Sequence, residues 1–250
     1  MKRLAAAVLL ALGTAAPAAA ASPVSLGVEL DLASRDIRYE DVNVIPNEGT
    51  ADTTGITGQV AVGIVRGVSL FGEVGAADVA VDEFNGYQSS FNLVYGGGLR
   101  LSAPMNRYAG SALLFSELRA RRITSSDQLM TLVCTQNCFD ADPNNDVESS
   151  EAVDEDLDWW EYTIKVGVSG QYDNVRPFGG IEVSKLDGTD SVDFVDPTLS
   201  DQTLDVRESN SIGFFFGADI LLDRQGQSAV TIEMSAIDRY AFRVGFNVGF

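Results

Sequence analysis

From Ser25 onward the chain alternates between apolar and polar positions. Leu26, Val28, Leu30 and Leu32 are apolar, and Glu29 and Asp31 stand between them. Successive side chains of a strand point to opposite faces, so such a run is a strand with one apolar and one polar face. The pattern recurs between turn residues. It predicts strands over Ser25–Ser34, Gly55–Val65, Val68–Val79, Ser89–Leu101, Tyr108–Ala120, Trp159–Tyr172, Arg176–Leu186, Ser209–Leu222, Ala229–Ile237 and Tyr240–Phe250. These make ten strands, with eight as the alternative count. Arg66-Gly67, Ala103–Asn106, Asp173-Asn174 and Asp223–Gly226 are short turns, whereas Arg35–Thr54, Arg121–Asp158 and Asp187–Arg207 are long connections. The expected fold class is all-β, an antiparallel up-and-down transmembrane barrel with short turns on one rim and long loops on the other. A soluble sandwich or lipocalin-like barrel also alternates, with its apolar face inward. The loop asymmetry favours lipid, as do Trp160 and Tyr162 at one end of an apolar face and Tyr172 at the other.

The last run carries the most specific pattern. Tyr240, Phe242, Val244, Phe246, Val248 and Phe250 share one face, and Ala241, Arg243, Gly245, Asn247 and Gly249 share the other. A flat aromatic strand at the end of a soluble chain invites aggregation. At the seam of a barrel in lipid it does not. This terminal strand resembles that of Gram-negative outer-membrane β-barrel proteins of the small porin-like or opacity type, which end on Phe after alternating apolar residues. The resemblance implies that the barrel-assembly machinery reads Tyr240–Phe250. The other end agrees: Lys2 and Arg3 precede an apolar run from Leu4 to about Leu12, then Ala19-Ala20-Ala21. That is the layout of a secretory signal peptide, too short for a membrane anchor. The expected organisation is a signal peptide over 1–21 and one barrel over 22–250, located in the outer membrane.

If the apolar face meets lipid, the other face lines the lumen. It holds the acids Glu29, Asp31, Glu73, Glu117, Glu161, Glu182, Asp219 and Glu233, the bases Arg100, Arg119, Lys165 and Arg243, and the neutral Gln59. Two readings follow: a packed network of ion pairs, because buried charges must be paired, or a narrow cation-preferring pore, because acids outnumber bases. Loss of Lys2 and Arg3 takes the formal charge from −19 to −21. A charge of that sign repels nucleic acid. The expected partners are outer-membrane lipid and lipopolysaccharide, with small solutes or ions if the lumen is open.

The chain contains no histidine. Ser-His-Asp hydrolysis, Cys-His catalysis and His-ligated metal sites are therefore excluded. Ten-stranded outer-membrane barrels include the omptin proteases, which use acidic residues and histidine, and outer-membrane phospholipases and lipid A deacylases also rely on histidine. Those activities are not carried over, and no enzyme, no catalytic residue and no cofactor is expected. Two further features lie in the longest connection. Cys134 and Cys138 in an exported chain predict a local disulfide. Asp140, Asp142, Asn144, Asp146, Glu148 and Glu151 follow the ligand spacing of an EF-hand calcium loop, although Pro143 is unusual there and no flanking helices are evident. The same acids, without set geometry, would bridge divalent cations to lipopolysaccharide phosphates. The function expected is a structural or surface-interaction barrel, with a narrow pore as one version of it. An adhesin acting through its loops and a soluble periplasmic β protein are the alternatives.

Overall fold

The alternating runs become strands, but they do not stop where the apolar outer face stops. The computed structural model describes residues 24–40, 48–82, 87–88, 91–105, 112–136, 147–194, 202–209, 212–223, 226–237 and 239–250. The expected signal peptide and residues 140–146 of the calcium-loop spacing lie outside them. The strands are β1 (Val24–Glu40), β2 (Glu48–Val65), β3 (Val68–Asp82), β4 (Tyr87–Gln88), β5 (Asn92–Pro104), β6 (Leu113–Gln136), β7 (Val147–Ser169), β8 (Val175–Phe194), β9 (Gln202–Glu208), β10 (Ile212–Leu221), β11 (Ser228–Ala236) and β12 (Arg239–Gly249).

Ten of them close into one antiparallel ring. Neighbours in sequence pair throughout, β8 pairs directly with β10, and β12 returns to β1. That seam runs from Ser25 opposite Gly249 to Arg35 opposite Arg239. At its lower end the Phe250 amide donates to the Val24 carbonyl at 2.9 Å, so both ends of the described chain meet on the short-turn rim.

The outer surface of the ring is an apolar belt. Leu26, Val28, Leu30, Ile56, Val60, Leu70, Val74, Ile164, Val166, Phe214, Phe216, Phe242 and Phe246 all face outward and are exposed. Tyr95, Trp160, Tyr162 and Tyr240 mark its upper margin, and Tyr172 and Phe250 its lower one. Trp160 stacks on Tyr162 at 6.1 Å, and Tyr95 meets Trp160 edge-on at 6.4 Å. An apolar belt between two aromatic margins is the exterior of a barrel in a bilayer. Tyr172 itself lies in the turn after β7, where it bridges Val175.

The long connections differ from expectation. Arg35–Thr54, Arg121–Asp158 and Asp187–Arg207 read as loops in the sequence, yet most of their described residues are strand. β6 has 24 residues and β7 has 23, where about 9–11 tilted residues cross a bilayer. Their continuation carries the sheet on above the ring. β12 leaves β1 at Arg35, and β9 takes over the pairing from Ile37 opposite Glu208 to Glu40 opposite Asp205. On the other side β10 leaves β8 at Val183, and β9 takes over from Asp187 opposite Arg207 to Val192 opposite Gln202. One strand thus replaces three, and the upper structure is narrower than the ring beneath it.

The hydrophobic core lies in this narrow extension. Ile37, Tyr39, Ala51, Ala77, Val79, Val81, Val94, Ile123, Leu157, Trp159, Leu186 and Val206 form one buried cluster, with Leu204 of β9 packed against it. Outside it are Asp36, Arg38, Asp52, Asp156, Lys185, Asp187 and Asp205. Around eight strands the interior of a barrel is just wide enough for side chains to fill. Narrowing is what lets the same inward positions that carry charges in the ring carry packed hydrocarbon above it.

Candidate functional site: the charged lumen and its closure

Each long strand delivers its inward residues to three levels in order. On β7 these are Ser169, Gly167 and Lys165 below, then Glu161, then Trp159 and Leu157 in the apolar core. On β1 they are Ser25, Gly27, Glu29, Asp31, Arg35 and then Ile37. Register alone therefore stacks a lower cavity, a layer of ion pairs and an apolar plug.

The ion-pair layer has two connected tiers. In the lower tier Arg119 donates to Glu73 at 2.6 and 2.9 Å and to Glu29 at 2.9 Å. Arg243 donates to Asp31 and to Glu233, both at 3.0 Å. Lys165 pairs with Glu233 and lies 3.6 Å from Glu182. In the upper tier Glu161 gathers three guanidiniums: Arg121 at 2.6 Å, Arg35 at 3.1 Å, and Arg239. Each of these reaches a second carboxylate, Arg121 to Asp31 at 2.9 Å, Arg35 to Glu208 at 3.6 Å and Arg239 to Glu182 at 3.3 Å. Arg239 and Glu182 have no exposed side-chain surface. A carboxylate or guanidinium so placed would be costly alone, and the circuit of opposite charges offsets that cost.

The structure places all twelve charged lumen candidates on the inner face. Glu29, Asp31, Glu73, Arg119, Glu161, Lys165, Glu182, Glu233 and Arg243 join the connected layer. Arg100 with Glu117 (2.7 Å) and Asp219 with Arg176 (3.6 Å) stand below it. Sequence reasoning missed Arg35 and Arg121, which it assigned to loops, and Arg239, which it left in a turn. It also missed Arg176 and Glu208. Four further arginines against one further glutamate nearly remove the acid surplus at these levels. Continuing the inward parity of β1 past Ser34 would have found Arg35.

Among the described residues, phenylalanines also point inward. Phe115, Phe178 and Phe215 meet one another with centroids 5.9 to 6.3 Å apart. Glycines on neighbouring strands make room for them. A Cβ on Gly217 would stand 2.6 Å from the Phe178 ring, and one on Gly167 would stand 2.8 Å from Phe215 and 2.9 Å from Phe115. Phe71 carries the Arg100 guanidinium 4.5 Å above its ring, and the Lys165 ammonium lies 5.0 Å from Phe215.

Most of the predicted calcium ligands fall outside the described residues. Asp140, Asp142, Asn144 and Asp146 lie outside them, and Glu148 and Glu151 belong to β7, paired with Cys134 and Thr131 of β6. Cys138 also lies outside them.

No protein-family model matches the chain, and no curated protein matches it by sequence. Solved structures do. The outer membrane protease OmpT from Escherichia coli aligns over 93% of this chain and 99% of its own, with a TM-score of 0.55 at 10% identity. The fold is that of an outer-membrane β-barrel. The translocator domain of the autotransporter NalP from Neisseria meningitidis covers 100% of this chain and 94% of its own at 11% identity, with a TM-score of 0.46. The outer membrane protein OprG from Pseudomonas aeruginosa covers 92% and 98% at 9% identity, with a TM-score of 0.41. At such identities the likeness concerns architecture, and the lumen of this outer-membrane barrel is read from its own residues.

Proposed function

We propose that the chain is a sealed outer-membrane barrel of opacity type, working at the cell surface through its strand extension, and not a pore. The observation that carries this reading is the double closure of the lumen. A solute rising from the short-turn rim meets Glu161 with its three arginines, and directly above them a core whose Ile37, Val79 and Val206 have no exposed surface. The cation-preferring pore rested on an acid surplus that the inward arginines largely cancel. Outside, the extension presents a mostly acidic wall, suited to partners that bring cations or basic groups, including the phosphate-bound cations of lipopolysaccharide. The signal peptide and the Cys134–Cys138 disulfide belong to this reading of an exported protein. The protease function of OmpT is not transferred, because the histidine that omptins use is absent from this chain.

Planar-bilayer recording on refolded protein tests the proposal. We expect no conductance steps from the wild type. Stable steps with cation selectivity would replace this reading with the pore.

A further inference from the structure

Below the ion-pair layer the lumen is not filled. A cavity of about 430 Å³ opens at the short-turn rim and ends blindly at Arg119, Lys165 and Arg243. That volume lies within the range of small-molecule sites. One wall is apolar: Phe115 and Phe178 line it, with Phe215 packed behind them. Two cations stand at the mouth. Arg100 and Arg176 keep 37% and 32% of their side chains exposed, whereas the cations at the blind end keep 4 to 6%. Arg100 engages Glu117 through Nε, and Arg176 reaches Asp219 by a single contact of 3.6 Å. A guanidinium has five N–H donors, so among the described residues most donor capacity at the mouth is uncommitted. The carboxylates are more spent: Glu117 and Asp219 are 17% and 20% exposed, and Asp219 also accepts from the Thr231 hydroxyl at 2.7 Å.

The geometry points to a binding site for a small aromatic carboxylate, with its ring against Phe115 and Phe178 and its carboxylate between Arg100 and Arg176. An aromatic wall takes the ring edge-on or offset. The arginine forks take a carboxylate in preference to an amine or an amide. The site rests on the sealed-barrel reading for its blind end, since an open lumen would make it a waypoint.

Equilibrium dialysis on the refolded mature protein in non-ionic detergent tests this, with 3-phenylpropanoate as the probe and 3-phenylpropylamine and 3-phenylpropanamide as comparators. The carboxylate should bind at least about tenfold more tightly than either comparator, and Arg176→Gln should weaken it by about tenfold. Gly245→Phe should abolish binding, because a Cβ there has its nearest atom at 3.6 Å and the ring would project into the cavity. Ser69→Phe fills the same space from β3 and serves if Gly245→Phe does not refold. No binding, equal binding of the amine, or binding unchanged by the filling variants would overturn the site. Unchanged binding in the filled variants would locate the probe in the detergent belt. Conductance in the bilayer assay would instead strike at the seal, whatever the dialysis shows.

Discussion

The lower and upper halves of β7 are one strand with opposite polarity. Below, Ile164 and Val166 face out and Lys165 and Thr163 face in. Above, Asp158 and Asp156 face out and Trp159 and Leu157 face in. β1 inverts in the same way between Leu32 and Ile37. The period-two rule holds along the whole strand, but its chemical sense depends on the solvent outside. In lipid the outer face must be apolar, and the polar inner face must pair its charges. In water the outer face can be charged, and the inner face stabilises by burying hydrocarbon. The level of Glu161 is where the two regimes meet, which is why the densest ion pairs sit directly under the densest apolar packing.

The comparison is broken hardest at adjacent inward positions of β7. Glu161→Ala strands three guanidiniums and should cost about 3–5 kcal/mol, the usual penalty for removing one partner of a buried ion pair. Trp159→Ala, two residues higher, should cost about 3–5 kcal/mol by opening a core cavity. The sizes are alike and the places differ. Urea unfolding in lipid vesicles should show the Glu161 variant weakening the ring itself. The Trp159 variant should become protease-sensitive above the belt while the ring keeps its heat-modifiable migration. Proteolysis of both variants at the same sites would mean that ring and extension are a single cooperative unit.

The ring was legible in the sequence because each of its strands shows Leu, Val, Ile or Phe on the lipid side, a strong signal at short range. The extension was not. Its outer face is Asp36, Arg38, Asp52 and Asp156, which read as loop, and its inner face includes Ala51 and Ala77, too small to announce a core. The lumen was half legible for the same reason. Glu29, Asp31 and Lys165 lie between obvious lipid-facing residues, whereas Arg35, Arg121 and Arg239 lie at or beyond the belt margin, where the alternating hydrophobic signal ends. Phe115, Phe178 and Phe215 were hidden because an aromatic side chain on a polar face looks like an interruption. Their places depend on Gly167 and Gly217 of other strands, a pairing that only the three-dimensional register supplies.

A charge on the outer face separates the two regions next. Val166→Arg puts a guanidinium at the middle of the belt and should destabilise by about 2–4 kcal/mol. Asp52→Arg makes a similar chemical change on the outer face of the extension and should stay within about 0.5 kcal/mol. Equal costs in vesicle-embedded unfolding would mean that the belt lies higher than the aromatic margin at Tyr95 and Trp160.

The smallest effect is expected at that margin. Arg122 stands just above it, donating through Nε to Asp158 at 2.8 Å and through Nη1 to the Tyr95 hydroxyl at 2.9 Å. The hydrogen bond from Arg122 holds the Asp158 carboxyl below its ordinary range, against the opposing effect of burial. A carboxyl whose pKa is lower folded than unfolded contributes stability above its unfolded pKa, and loses that contribution as pH falls through the folded value. The Asp158 side chain is 41% exposed, so solvent screens the pair and its contribution should be about 0.2–1 kcal/mol. Asp158→Asn should therefore lower stability slightly at neutral pH, and the gap from wild type should close as the buffer is taken below the usual carboxylate pKa of about 4. Unfolding midpoints across that pH series read the difference directly. A loss as large as that of Glu161→Ala would show that Arg122 and Asp158 belong, energetically, to the buried layer and not to the solvated margin above the lipid.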